Sequence, residues 1–409
     1  MLDLRNYAVV TAAYWGFTLT DGALRMLVLL HFHTLGYSPL ELAFLFLLYE
    51  FFGVVTNLLA GWIGSQFGLK LTLYCGLGLQ VTALCMLSLL DPTWEKFAAV
   101  AFVVAAQGLS GIAKDLTKMS SKSAIKLVVP DDAHSTLFKW VALLTGSKNA
   151  LKGIGFFLGA ALLAGLGFVH ALWAMAAGLV IILVAAVTLL PGDMGKVKTK
   201  VKFTKILSKS RAINLLSAAR FFLFGARDVW FVVGVPIFLY EVIGWSFMEV
   251  GSFMAAWVIG YGGVQALAPK FVRRSVDGQS SETRAAQWWA FVLAALPVVI
   301  AALVEAGAAP AVSVVGGLAL FGIVFAINSS VHSYLILSFS DSDKVALNVG
   351  FYYMANAGGR LVGCLFSGLS YQMWGLSGCL LTASAMVLAA GAITIVLAGE
   401  QRAPARSEV

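Results

Sequence analysis

Charge is scarce in this chain. Only 12% of its 409 residues are Asp, Glu, Lys or Arg, where a soluble domain carries about a quarter. That shortage excludes an ordinary solvated surface. Cysteine is scarce as well: Cys75, Cys85, Cys364 and Cys379 all lie inside apolar stretches, none at metal-ligand spacing, so they read as small core-filling residues. The alternating ten-residue strands of an outer-membrane barrel are missing. So is a cleavable signal peptide, because the first apolar run is too long for one and contains Asp21 and Arg25. There is no nucleophile–base constellation, metal motif or phosphate-cradling glycine loop. No enzyme activity, cofactor or metal is therefore expected.

What the chain has in abundance is apolar length. Sixty per cent of it is hydrophobic, with a mean hydropathy of +0.89. Runs of about 20 apolar residues, each long enough to cross a hydrocarbon layer of roughly 30 Å, recur at 7–33, 40–66, 70–90, 97–118, 137–169, 171–191, 212–240, 247–269, 286–305, 309–338, 345–372 and 375–398. The expectation is an all-α membrane protein with twelve transmembrane helices. Alternate connections hold Lys70, Lys122, Lys126, Lys270, Arg273, Arg274, Arg284 and Lys344, and the opposite set holds Lys96 alone. The cation-rich side is cytoplasmic by the positive-inside rule, and both termini go with it. The net charge of +8 reflects this bias and does not imply nucleic-acid binding.

The stretch PGDMGKVKTKVKFTKILSKSR (191–211) carries Lys196, Lys198, Lys200, Lys202, Lys205, Lys209 and Arg211 against Asp193. It reads as a solvated connector facing lipid head groups. It separates an N-terminal six-helix bundle (1–191) from a C-terminal one (212–400), with 192–211 as linker and 401–409 as a short cytoplasmic tail. The halves repeat. LGYSPLEL (35–42) and IGWSFMEV (243–250) match at Gly36/Gly244, Ser38/Ser246 and Glu41/Glu249, an offset of 208. At the same offset Gly155 falls on Gly363, Lys152 on Arg360 and Lys148 on Asn356.

Parallel six-helix repeats, a basic central loop and the 2–3 loop GWIGSQFGLKL (61–71) resemble the major facilitator transporters. The loop matches that family's G-x-x-x-D-R-x-G-R-K signature at Gly61, Phe67, Gly68 and Lys70. It departs from it at Ser65 and Leu69, which puts the usual charge relay of that loop in question. The resemblance implies two pseudo-symmetric six-helix bundles around a cavity lined mainly by segments 1, 4, 7 and 10. It also implies alternating access by rocking of the two halves, with Gly153, Gly155, Gly159, Gly358, Gly359 and Gly363 allowing helices to approach and slide.

Several charges nevertheless sit at membrane depth: Arg25, Lys114, Lys148, Lys152, Arg227 and Arg360, with Asp21, Glu50, Asp115 and Asp228. Each such cation costs about 3 kcal/mol in lipid, so together they require a wet cavity, acidic partners, or both. Asp21 and Arg25, four apart, share a face and are able to pair. Arg227 and Asp228, adjacent, point about 100° apart and are not expected to neutralise each other. Six cations against four acids leave a net +2. Lys114, Lys118, Lys122 and Lys126 form a stripe in which the inner two line an entry path and the outer two snorkel to head groups. Asp21, Glu50, Asp115 and Asp228 are candidates for proton coupling.

A surplus of deep cations predicts an anionic cargo. Lys152 and Arg360, at repeat-equivalent positions, suit a ligand that is anionic at both ends. Asn149, Asn328, Asn356, Ser329, Ser330 and His332 supply neutral donors; His332 reads as a structural hydrogen-bonder. The strings YWGFTLTDGALRMLVLLHFHTLGYSPLELAFLFLLYEFFGV, GLSGIAKDLTKMSSKSAIKLVVP and LFKWVALLTGSKNALKGIGFFLGA are similar to the ArsJ family of bacterial organoarsenical efflux permeases. That resemblance implies inner-membrane export of 1-arseno-3-phosphoglycerate, arsenate resistance and a functional link to glyceraldehyde-3-phosphate dehydrogenase. Scattered cysteines speak against trivalent arsenic. An organophosphate or phosphate antiporter of the same fold has nearly the same chemistry and stays open. A multidrug exporter prefers an apolar or acidic cavity. A non-transporting membrane sensor would carry an appended module, where only QRAPARSEV follows residue 400.

Overall fold

Inside hydrocarbon every backbone N–H and C=O has to be satisfied by the chain itself, and a helix does this within one segment. The computed structural model describes residues 2–124, 134–190, 210–267, 280–340 and 345–402, and these fold as helices joined by short turns. In order they are α1 (Leu2–Thr34), α2 (Pro39–Leu45), α3 (Leu47–Ser88), α4 (Lys96–Ala124), α5 (His134–Leu189), α6 (Arg211–Val229), α7 (Val235–Ile237), α8 (Phe247–Leu267), α9 (Ser280–Glu305), α10 (Pro310–Ser338) and α11 (Val345–Arg402). Short π-helical stretches, Trp230–Gly234 and Phe238–Val242, flank α7.

Nine helices among the described residues are long and apolar enough to cross a membrane. The three longest are interrupted by glycine. α3 breaks at Gly68 (φ 74°), α5 at Gly167 (φ 72°) and α11 at Gly375 (φ 63°). Positive φ is nearly free for glycine and strained for any residue with a Cβ. The 56 residues of α5 would run about 84 Å as one rod, far beyond one bilayer crossing, and the kink at Gly167 divides them into two helical segments. Gly167 and Gly375 are 208 apart, the offset of the sequence repeat.

The repeat is also structural at the α2 and α8 starts. Gly36 (φ 81°) and Gly244 (φ 78°) make the same left-handed turn. Ser38 then accepts from the Glu41 backbone N–H while the Glu41 carboxylate accepts from the Ser38 N–H at 2.8 Å. Ser246 and Glu249 reproduce this reciprocal cap, again at 2.8 Å. The repeated string is thus a turn-and-cap signal.

The helices form two compact units: Met1–Phe203 with Gly244–Ile259, and Thr204–Ile243 with Gly260–Val409. In the first, α1 packs on α5 and α3 on α4; in the second, α6 and α9 pack on α11. Small residues set the closest crossings. A Cβ on Gly155 would sit 2.5 Å from the Leu19 carbonyl, and one on Gly159 would overlap the Ala23 carbonyl. In the second unit, a Cβ on Gly359 would overlap the Phe221 carbonyl and one on Gly363 the Gly225 carbonyl. Gly153 lies against Ala255, and Gly358 only against the Phe221 ring. The π-helical turns leave the Val233 and Gly234 N–H groups outside the α ladder, and both donate to the Ser367 hydroxyl, at 3.0 and 3.2 Å.

The Gly359 crossing admits no methyl without a backbone shift, so Gly359→Ala destabilises by about 1–3 kcal/mol. Gly178→Ala, at an α5 position where a Cβ meets nothing, serves as the neutral control. Thermal unfolding of the detergent-solubilised protein measures both.

Candidate functional site

α1 and α5 cross in backbone contact at Gly22 and Gly155, and this crossing brings the deep charges of the first unit together. Lys152 lies one turn before Gly155 on α5, and its Nζ is 3.5 Å from Asp21 Oδ2 on α1. The other Asp21 oxygen accepts from Tyr49 Oη at 2.6 Å. The Tyr49 ring in turn lies 3.9 Å below Lys114 Nζ and 5.5 Å from Arg25 Cζ. Arg25 donates from Nη1 to Glu50 Oε1 at 3.0 Å, with the Glu50 side chain fully buried. Tyr49 is thus the hub of the group: its hydroxyl meets the acid and its ring meets the cations.

A second acid centre lies on α4. Asp115, 1% exposed, accepts from Lys118 Nζ and Thr56 Oγ1, both at 2.6 Å, and from Asn57 Nδ2 at 3.5 Å. Lys118 also donates to Asn57 Oδ1 at 2.6 Å. Counting Arg25, Lys114, Lys118, Lys148 and Lys152 against Asp21, Glu50 and Asp115, the first unit holds five deep cations and three acids.

The second unit repeats the α1–α5 arrangement between α6 and α11. Arg360, three residues before Gly363, donates from Nε to Asp228 Oδ2 at 3.1 Å. Arg227 folds back onto Asp228 Oδ1 through Nε at 2.7 Å and through Nη2. Asp228 is 1% exposed, so its charge is shared by two guanidiniums. The acid on the first helix and the cation on the fifth are equivalent in the two units. Lys152 and Arg360 differ by 208, Asp21 and Asp228 by 207, and Gly36 and Gly244 again by 208. One residue has therefore been added between Asp228 and Gly244, where the π-helical turns lie. A π turn is the form in which a helix absorbs a single insertion.

The sequence-based expectations meet this geometry unevenly. Asp21 and Arg25 do not pair with each other among the described residues; Asp21 meets Lys152 and Tyr49, and Arg25 meets Glu50. Arg227 and Asp228 do neutralise each other, against expectation, because the arginine stem is long enough to bend across the roughly 100° between adjacent positions. Of the lysine stripe, Lys118 is held by Asp115 and Asn57 and Lys114 covers Tyr49, while Lys126 and the Lys122 side chain lie outside the described residues. Lys148 and Asn149 are partly exposed on α5, one turn before Lys152. Asn356 is half-buried one turn before Arg360, its Oδ1 without a partner among the described residues. Asn328 is fully buried on α10, with neither side-chain polar atom bonded among the described residues. Most of the signature loop's side chains (60–67) and the basic linker (192–209) lie outside the described residues; of that loop, Lys70 donates to the Leu190 carbonyl at 3.2 Å.

Arg220 is a residue the sequence reading passed over. It is 4% exposed on α6 and donates to the Ser329 carbonyl and hydroxyl at 3.0 and 3.1 Å. The available signal was its spacing: seven residues before Arg227, it lies on nearly the same helix face.

Buried ion pairs repeated in two helical units place ionisable groups inside a multi-pass membrane protein, where such groups mark a functional site. The model of the Major Facilitator Superfamily matches residues 8–364, and the chain belongs to that family. Solved structures with the same fold include a bacterial homologue of the iron transporter ferroportin in an inward-facing state (13% identity, TM-score 0.70, covering 97% of this chain and 99% of that one). A point mutant of the nucleoside transporter NupG is similar at 16% identity and TM-score 0.70, with 98% of each chain covered. The human organic anion transporter MFSD10 is similar at 16% identity and TM-score 0.61, covering 96% of this chain and 99% of that one. No curated protein sequence matches the chain.

Asp228→Asn leaves two guanidiniums on one buried neutral amide. The expected loss of stability is on the order of 3–5 kcal/mol, the cost of breaking a buried pair. Adding Arg360→Gln to Asp228→Asn recovers part of it. A double-mutant cycle on thermal unfolding reads the coupling, and strict additivity would show that the pair does not act as a unit.

Proposed function

We propose that this major facilitator protein is an organoarsenical exporter of the ArsJ type, moving a dianionic arsenate or phosphate ester, 1-arseno-3-phosphoglycerate, out of the cytoplasm across the bacterial inner membrane. The observation that carries the reading is the excess of deep cations over carboxylates in each unit. Five are set against three in the first, and in the second, away from the helix ends, Arg220, Arg227 and Arg360 outnumber Asp228. The fold does not choose the cargo, since its neighbours are described as iron, nucleoside and organic anion transporters. The cation excess and the sequence likeness are what support this cargo.

In this reading the nine apolar helices become twelve crossings: α1 crosses too, and α5 and α11 each cross twice, turning at Gly167 and Gly375. Domains 1–191 and 212–400 alternate access, with both termini and the 192–211 linker in the cytoplasm. Asp21 and Asp228 occupy Lys152 and Arg360 when no cargo is present. An incoming oxyanion competes for those cations, and the released carboxylates, with Glu50 and Asp115, are then the groups able to take a proton. An organophosphate antiporter shares this chemistry and is separated by cargo preference. The link to glyceraldehyde-3-phosphate dehydrogenase is a supply relation: an acyl arsenate ester has to be made by an enzyme that accepts arsenate in place of phosphate.

Everted vesicles carrying the protein are expected to accumulate the arsenate-linked glycerate, with 3-phosphoglycerate a weaker competitor. Lys152→Gln and Arg360→Gln each lower uptake about 10- to 100-fold, the value of one charge-assisted contact. Equal preference for the phosphate ester would favour the antiporter, and undiminished uptake in both variants would remove the cation argument. Collapsing the proton gradient with an ionophore is expected to stop accumulation; export that persists without the gradient excludes proton coupling through the four carboxylates.

A further inference from the structure

Arg220 differs from every other deep cation of the second unit in what it faces. Arg227 and Arg360 hold Asp228. Arg220 pairs with no carboxylate among the described residues; its Nη1 is held by the Ser329 carbonyl and hydroxyl. Phe224 covers the guanidinium at 3.8 Å from Cζ, and the Tyr352 ring lies at 5.0 Å. Its Nε is buried with no acceptor among the described residues. The Nε–Nη2 edge is the side on which a guanidinium takes an oxyanion through two parallel N–H bonds. Arg227 uses that same edge on Asp228. At Arg220 the edge meets no protein acceptor among the described residues.

Among the described residues, the groups that hold the Arg220 guanidinium are neutral. Ser329 is fully buried, and its hydroxyl lies 3.4 Å from both Tyr261 Oη and Gln265 Nε2. His332, three residues on along the same face of α10, is 1% exposed, its Nδ1 without a partner among the described residues. A buried guanidinium held only by neutral groups is strongly destabilising until a counter-charge arrives. Aromatic faces and a serine compensate it in part and leave its fork free.

We propose that Arg220 anchors an oxyanion-binding site inside the second unit. A phosphate- or arsenate-like group sits side-on on the Nε–Nη2 edge, with His332 as a neutral donor in its Nδ1–H tautomer. This deepens the transport reading and rests on it for the identity of the cargo: it adds Arg220 as a further oxyanion contact in the second unit, beside Arg360, which Asp228 holds when no cargo is present.

The test is thermal unfolding of the purified full-length chain titrated with inorganic phosphate at constant ionic strength, with chloride as the balancing anion. Phosphate is expected to stabilise the protein saturably. Arg220→Gln weakens the apparent affinity about 10- to 100-fold, and Arg220→Lys, which keeps the charge and loses the fork, falls between. Should Arg220→Gln fail to fold, His332→Gln still reports on the site, with an expected weakening of about 3- to 10-fold. Equal stabilisation by chloride and phosphate, or a phosphate affinity indifferent to Arg220 and His332, overturns the site. Arg220-dependent phosphate binding in a protein that transports no arsenate ester overturns the cargo and leaves the site standing. Ester transport with phosphate affinity untouched by Arg220 does the reverse.

Discussion

A carboxylate carried into hydrocarbon survives only beside a donor or a counter-charge, and this constraint organises both helical units. Glu50 holds Arg25, Asp115 holds Lys118, Asp21 is shared by Tyr49 and Lys152, and Asp228 is shared by Arg227 and Arg360. Desolvation makes each unpaired ion expensive, so helix positions that separate these partners are disfavoured. The glycine crossings follow from this. Lys152 and Arg360 each stand three residues before the glycine, Gly155 or Gly363, at which the backbones of two helices touch. A side chain at either glycine would push the helices apart and lengthen the ion pair beside it.

The two units apply one plan with different chemistry. The first pairs a lysine point charge with Asp21 and lets a tyrosine take the second oxygen. The second replaces both with arginines on one acid. Its α6 region also carries the extra residue that the π-helical turns absorb, with Ser367 bonding the backbone groups thereby displaced. Position 159, the counterpart of Ser367 at the repeat offset, is a glycine packed directly on Ala23. The same repeat position thus serves close approach in one unit and backbone hydrogen bonding in the other.

Transporters that share this fold carry unlike cargoes, as expected when selectivity lies in side chains placed on a common scaffold. Among the deep charged side chains of this chain, cations outnumber acids in both units. Arg220 stands apart among them, because its neighbours are two aromatic rings and a serine.

The order and length of the apolar runs were enough to define a helical membrane protein, because length against bilayer thickness is a one-dimensional property. The 208-residue repeat was equally legible: its turn glycines and Ser–Glu caps act within a few residues of themselves. Pairing was not. Which acid meets which cation depends on helix rotation and on contacts between residues far apart in sequence, such as Asp21 with Lys152 or Asp228 with Arg360. Spacing alone allowed Asp21 to pair with Arg25 and kept Arg227 from Asp228; tertiary packing instead gives Asp21 to Lys152 and Arg25 to Glu50, and the length of the arginine stem closes Arg227 onto Asp228. Arg220 escaped notice for the same reason, since its burial and its unoccupied edge come from α10 and α11, and nothing local in the sequence around it records that they pack there.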